Sequence, residues 1–571
     1  MLKGLRSSLV FISALLLLLV LACARAAPTA TPTRAPVAAP TPTKAAVLEA
    51  TPTAKREPQG ILSVIDQFAS ETFLPRMVAI ESYTLNIGEP LFGWDWSRDS
   101  ATNKAIFESW DYKQNPDGSL DWTFKVRKGV KFHKGWGEVT AEDVKYTLLS
   151  FLKPGSVSPE TKAVVDFFES KPDNLVVKDP YTLVLHQSEP AMVVEIFRGM
   201  SADTNTGPKP FPKKYMEQVG EDEFNKNPVF AGPYEFVSQV RGSEIKFKAV
   251  PDHYRVVPGF AQMSYLKVLE EATKIAMLRT GQVDVAPVLP ISTPELKAAG
   301  IKIAVSEYAS DLFVILGGVF PGREKYDPKV PWAGQDPLSE KPTKVRKALS
   351  LAVDRQAIVD KLLLGYGEVG VVPFSFITSK FPWWNPEWKP IPYDPKQAKQ
   401  LMTEAGYPNC FEAKTYFVVD DPISPSLGEA IVSVWERDLG CKFSRTPGEW
   451  RPVFRTMVLE RNTAGWTYAY QGRPVARPFR YACFNGGPAY QTIVHTEFPF
   501  YTELCAKARK ALTEKELLDI ERQIGDEVYK YVPTVEVALA HQTFGVGPKV
   551  KEWTPMPTNS LVGNLEYALP K

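Results

Sequence analysis

From Gly60 onward, hydrophobic and polar positions follow two rhythms along the chain. Trp122, Phe124 and Val126 alternate with Thr123, Lys125 and Arg127, which is the period of a half-buried strand. Asn115-Pro116-Asp117-Gly118 just ahead is a turn signal, so residues 109–132 are predicted to form a pair of strands. Thr140 and Asp143 have the spacing of a helix N-cap, and a helix is expected over Thr140–Leu152. Ile61–Phe68 and Tyr181–Gln187 are predicted strands, and Ala191–Gly199 is a predicted helix. The loop Phe230–Phe236 enters a strand that Gly242-Ser243 turns back into Glu244–Ala249. Val345, Leu349, Ala352, Ile358 and Leu362 form an apolar stripe that predicts one long helix over Lys344–Leu364. Asp394-Pro395 opens another helix, which buries Ala398, Leu401, Met402 and Ala405 and stops at Gly406. A strand at Ala413–Val419, a helix at Leu427–Leu439 and a strand at Lys442-Phe443 predict a right-handed parallel crossover. Strands alternating with helices make the fold class α/β.

The N-terminus has a different pattern. Lys3 and Arg6 precede an apolar run from Val10 to Leu21. That is the length of a signal-peptide core and too short for a membrane span. Val20-Leu21-Ala22-Cys23 then has the form of a lipoprotein cleavage box, with residues 1–23 as signal peptide and Cys23 as the lipidated first residue. The alternative is ordinary secretion with cleavage near Ala26 or Ala27. Residues 24–59 are rich in Ala, Pro and Thr and cannot bury a core. At about 3.1 Å per residue, an extended Pro-rich stretch of this length reaches up to ~110 Å and would tether a domain to the outer face of the membrane.

At 571 residues, two or more lobes are expected. The net charge of +2 leaves no surplus to neutralise phosphates, which argues against a nucleic-acid partner. Aromatics make up 12% of the chain; most belong to cores, and a minority lining a cleft would suit amphipathic ligands. Apart from Cys23, the cysteines are Cys410, Cys441, Cys483 and Cys505. In an exported chain they permit two bridges in three connectivities. Pairs close in sequence, Cys410–Cys441 and Cys483–Cys505, are preferred, with four buried thiols as the alternative.

Five blocks in order resemble one family. They are FKVRKGVKFHKGWGEVTAEDV at Phe124–Val144, NPVFAGPYEF within Asn227–Tyr254, and EEATKIAMLRTGQVDVAP with Gly281 and Asp284. VRKALSLAVDRQAIVDKLLLGYGEVG follows, with Arg346, Ala348 and Asp354-Arg355, and then YDPKQAKQLMTEAGY. Together they resemble the family 5 solute-binding proteins of ABC importers, the oligopeptide-, dipeptide- and nickel-binding group. Phe230 and Ala231 stand where that family often has Gly-Thr. The resemblance implies a two-lobed, periplasmic-binding-protein-like type II fold. Lobe one would span 60–315, with a subdomain over 105–227 and a C-terminal return at 536–571; lobe two would span 316–535. It also implies a monomeric, lipid-anchored binder outside the cell. The binder would close on a peptide-like or other small solute and deliver it to ABC permease subunits with their ATPases. A sensory or structural lipoprotein without transport, or an exported hydrolase, are the rival readings.

Little in the chain proposes catalysis, so an enzyme is not expected. The five His are scattered without metal-ligand spacing, and His133 in its strand-to-turn motif has a structural reading. Nucleophile-elbow and phosphate-loop motifs are absent from the sequence, and no cofactor or metal is expected. Ligand contact is expected within Gly465–Asn485, at Trp466, Tyr468, Tyr470 and Arg473. The family's peptide binders place an Asp near here for the ligand amine; this chain has none between Glu460 and Glu497. Rings and a guanidinium suit flat, neutral or anionic groups better than a free ammonium, unless Asp95 or Glu71 supplies the counter-charge. Phe73 and Trp94 are the candidates in lobe one. Core packing is the competing reading for all these aromatics.

Overall fold

A computed structural model of the chain describes residues 57–571, apart from 67–70, 79–80, 97–99, 189–196, 203, 372–382, 422, 473–482, 484–495, 512–513 and 558. Its main sheet runs, in spatial order, through Lys442–Gly448, Glu412–Val418, Trp466–Gly472, Lys302–Leu316, Thr534–Val546, Val285–Val288, Ile61–Asp66, Gln262–Lys267, Glu244–Ala249 and Tyr234–Val240. Gly367–Val369 pairs additionally with Thr534–Val546. Lys302–Leu316 and Thr534–Val546 are the two crossing strands, antiparallel to each other and shared by both halves of the sheet.

Two hydrophobic cores divide those strands between them. Phe544 and Val546 pack with Leu62, Val64 and Tyr265 in the first core. Leu312–Leu316 and Val535 pack with Trp332, Trp383 and Trp435 in the second. The changeover falls at a break in register between Ser306 and Ser310, opposite the segment Ala540–Gln542. Tyr308 sits in that break with φ 53°, a left-handed conformation that costs a bulky side chain energy. The expected lobe cuts, after residue 315 and before 536, therefore fall inside the second core, because the strands change partners several residues away.

Local signals account for most elements. Phe107–Gln114 and Leu120–Val126 form the expected hairpin, in a four-stranded antiparallel sheet completed by Thr182–Gln187 and Leu175–Asp179. Thr140 caps the helix Ala141–Ser150, and Asp143 returns the bond to the Thr140 N–H at 3.0 Å. Glu412–Val418 lies parallel to Lys442–Gly448 across Ser424–Val434, as a crossover requires. The single helix expected over Lys344–Leu364 is instead two, Glu340–Leu351 and Arg355–Lys361. Asp354 breaks it by capping the second helix through the Ala357 N–H at 3.0 Å. Most of Ala191–Gly199 lies outside the described residues, as do Cys23 and the whole N-terminal segment through residue 56.

The family-like blocks turn out to be sites of internal attachment. His133 donates its backbone N–H to the Phe230 carbonyl at 2.8 Å, and its Nε2 lies 2.8 Å from the Gly232 oxygen. Burial lowers the His133 pKa to about 4, so the imidazole is neutral. Phe230 fills the core beside Phe224, with ring centroids 5.5 Å apart. Asp284 accepts from the Ser63 N–H at 2.8 Å, and its carbonyl accepts from the Gly547 N–H at 2.7 Å. Arg255 bonds Glu89 at 2.7 Å and Glu566 at 3.2 Å, fastening the C-terminal return to the first core. Arg346, fully buried, donates to the carbonyls of Tyr531, Trp332 and Pro337. In the second lobe Cys410 is bonded to Cys441 and Cys483 to Cys505, with Cα atoms 4.7 and 5.5 Å apart.

Candidate ligand cleft

In open α/β sheets, ligands bind outside the carboxyl ends of the parallel strands. In the second half of the sheet, Glu412–Val418 is parallel to both Lys442–Gly448 and Trp466–Gly472. Their carboxyl ends bring together Val418, Gly448 and Gly472. Gly472 pairs with Asp311 of the first crossing strand, and Tyr470 pairs with Phe313. Tyr470 is partly buried and faces Trp450 at 5.4 Å and Phe313 at 5.5 Å between ring centroids. Burial, with Asp421 adding to it, raises the Tyr470 hydroxyl to about 12, so it is a neutral donor here.

A carboxyl pair stands beside this aromatic edge. The crossing strands pair Asp311 with Leu539 and Leu312 with Ala538, then slip by one residue so that Phe313 meets Glu536. Without the slip, Glu536 would point to the opposite face; with it, Glu536 joins the face of Asp311. Both are sealed from solvent, at 0% and 3% exposure. Arg355 is close but spends its N–H groups on carbonyls, among them that of Glu536 itself at 2.8 Å, and on Ser350 Oγ at 2.6 Å. Neither Glu536 carboxyl oxygen meets a hydrogen-bond donor among the described residues. Burial, and then the neighbouring Asp311 charge, raise the Glu536 pKa well above the carboxylate range, while Arg355 opposes the shift. Glu536 is accordingly held toward its neutral form. A Cβ at position 370 would collide with the Glu536 carboxyl, which explains Gly370.

Residues 102–490 match the model of the bacterial extracellular solute-binding proteins, family 5. The chain belongs to that family. It is 28% identical over 367 residues to the oligopeptide-binding protein AppA of Bacillus subtilis, covering 61% of this chain and 60% of that one. Against heme-binding protein A of Haemophilus influenzae it is 25% identical over 396 residues, covering 63% and 64%. The chain thus matches a little over 60% of the length of these curated relatives. Among solved structures, the ABC transporter substrate-binding protein CtaP of Listeria monocytogenes superposes with TM-score 0.73 at 18% identity, covering 90% of this chain and all of that one. AppA of Bacillus subtilis, solved with a nonapeptide, superposes with TM-score 0.68 at 19% identity, covering 90% and 100%. The fold is accordingly the two-lobed type II form.

On this family-5 fold the residues expected at the ligand are scattered. Trp466 opens its strand, at the end remote from Gly472, and stacks flat on Tyr416 at 3.6 Å with Lys414 Nζ 4.8 Å from its ring. Tyr468 is fully buried at the middle of the strand, and Trp450 packs near it at 6.3 Å. Tyr468 thus packs near Trp450, whose segment Trp450–Leu459 also places Phe454 4.3 Å from Tyr416. Phe73 is buried against Tyr83 and Phe236, at 5.2 Å from each, and is likewise core. Trp94 is buried in the hairpin Gly93–Asp95/Ser100–Thr102 with Arg198 over its ring at 5.7 Å, and its Nε1 meets no acceptor among the described residues. Arg473 lies outside the described residues. Among the described candidates, Tyr470 alone reaches this edge. Glu71 is occupied within lobe one, accepting from the Gly242 N–H at 2.9 Å and from Lys267 at 3.3 Å. Asp311 and Glu536 were not anticipated; the one signal was a carboxylate set inside an otherwise apolar strand, as in Val535-Glu536-Val537.

Proposed function

We propose that this protein is the lipid-anchored receptor of an ABC importer. It captures a peptide-like or other small solute between its lobes and hands it to the permease subunits and their ATPases, without covalent chemistry of its own. The observation that carries this reading is the division of two cores across one pair of crossing strands, with the aromatic and acidic edge at their junction. Such a joint lets two rigid bodies close on a ligand. Relatives described as binding oligopeptides, glutathione and heme support a solute of that size class. Cys23 would hold the chain at the outer face of the membrane, and residues 24–59 would let it range over the permease. Lobe one would run from residue 60 to the register break at Ser306–Ser310 and resume after Gln542; lobe two would fill the interval.

Solution scattering and thermal melting on the mature monomer test this reading. A bound solute should shrink the radius of gyration and raise the melting temperature together. Stabilisation by several tight ligands without any compaction would remove the hinged-receptor reading.

A further inference from the structure

We infer that the residues around Tyr308 form a latch across the joint between the lobes, one that holds the ligand-free protein in the arrangement of this structure. The inference rests on the hinged-receptor reading above and names the contacts that set its resting position.

The joint is the stretch where the two crossing strands lose register. Ser306 pairs with Gln542 and Ser310 with Ala540, so Glu307, Tyr308 and Ala309 stand outside the ladder between them. Such a stretch can change its dihedral angles without breaking the strand pairs on either side. Tyr308 is in a left-handed conformation there, with φ 53°, which a bulky residue keeps only where its surroundings fix it. Lobe two supplies those surroundings. The Tyr308 hydroxyl donates to Glu368 Oε1 at 3.0 Å, and its ring meets that of His541 edge-on, with centroids 5.5 Å apart. Glu368 lies on the short strand Gly367–Val369, which pairs with Thr534–Val546. His541 donates its backbone N–H to the Tyr366 carbonyl at 3.0 Å. Gly367 permits this close seat, since a Cβ there would lie 2.9 Å from the Leu539 carbonyl oxygen.

The same segment is held from lobe one. Lys297 Nζ lies 5.4 Å from the centre of the Tyr366 ring, a cation–π contact. Lys297 belongs to the helix Thr293–Ala298, whose Leu296 is buried with Ile65 and Val283. Leu363, just before Tyr366, is buried in the second core instead. Residues 366–368 are thus gripped on one side by a lobe-one helix and on the other by the strained residue of the joint. Rotation of the lobes about the break separates Lys297 from Tyr366 and lets Tyr308 relax from its left-handed conformation, so the contacts are lost together. The fold thereby has a restrained state and a free one, and a solute that moves the lobes must bind tightly enough to break the latch.

The test uses the mature protein without ligand, followed by hydrogen exchange and solution scattering. Tyr308→Phe keeps the ring and removes the hydroxyl. Amides of residues 366–369 and 540–542 should then exchange about tenfold faster. Ile61–Asp66 and Glu412–Val418, one strand from each lobe, should keep their wild-type protection. The radius of gyration should rise, because lobes released from a mutual contact spend more time apart. Lys297→Met, at an exposed position, should move both readouts in the same direction, and it decides the matter where Tyr308→Phe does not fold. A lower melting temperature with unchanged exchange at the joint and an unchanged radius would make Tyr308 a packing residue and overturn the latch. Unchanged readouts in Lys297→Met would overturn it as well. Because no ligand enters, either result leaves the receptor reading standing; that reading fails separately, through solutes that bind without compaction.

Discussion

Nε2 of His133 lies 2.8 Å from the carbonyl oxygen of Gly232, joining two motifs 99 residues apart in sequence. The bond holds the turn after the subdomain hairpin against a glycine that has no room for a Cβ, since one there would strike the Ile87 backbone. Burial depresses the imidazole to about 4 from 6.5. A depressed histidine is neutral in the fold but charges in the unfolded chain below pH ~6.5. Stability from this group is therefore complete above that pH and is lost as pH falls toward 4, by up to about 3 kcal/mol. His133→Gln should flatten the acid limb of a melting-temperature profile, and His133→Ala should cost about 1–3 kcal/mol at pH 7. An unchanged profile would contradict the neutral, buried assignment.

Glu536 has the opposite dependence. Its carboxyl is raised in the fold, so its burial costs nothing below the unfolded value of about 4.3 and becomes unfavourable as pH rises toward the folded value. The groups facing it are Asp311 and Arg355. Glu536→Gln should thus melt higher than wild type at pH 8 and at the same temperature at pH 4. A variant equally destabilised at both pH values would show that the carboxyl is ionised and paired.

Arg255 bridges two carboxylates buried in the first core, Glu89 and Glu566. Burial pushes Glu89 upward, yet Arg255 and then His253 hold it below the ordinary range. Arg255→Met strands both acids and should cost about 3–5 kcal/mol. Hydrogen exchange should locate the loosening in the last residues, around Leu565–Tyr567. Loss confined to the loop at Tyr254 would contradict the fastening role.

The two bonded cysteine pairs enclose short loops, with sequence separations of 31 and 22. Thiol titration of the denatured, unreduced mature protein should find none of the four reactive. Cys410→Ser with Cys441→Ser should lower stability by about 2–4 kcal/mol.

Cys23→Ser should move the protein from the membrane to the soluble fraction. Retention on washed membranes would require another anchor.

Much of this fold was legible because its signals are local. The Thr140–Asp143 cap, the turn at Asn115–Gly118 and the parallel crossover from Glu412 each depend on neighbours within one or two elements. Asp354 was misread because an apolar stripe continues through it, whereas its side chain competes for the backbone and ends the helix. For Trp466 and Tyr468, alternation reveals that a strand has two faces, not which face a later-packed segment covers. That segment, Trp450–Leu459, precedes them in sequence and carries no mark of where it docks. Asp311 and Glu536 are 225 positions apart (536 minus 311), and they meet only because one strand slips by a residue. Register of that kind is set by the whole sheet, and neither strand alone encodes it.

The closing segment of the chain also makes the first core discontinuous in sequence. Val550, Trp553, Leu565 and Ala568 belong to the core that Leu62 and Val64 begin. The second core is complete once the chain reaches Ala540, and its two sulfur bridges lie wholly inside it. The first core therefore draws on both ends of the sequence that the second core occupies in between. In topological terms the second core is an insert in the first, so a cut between Ala540 and Val550 should loosen the first core and leave the second intact.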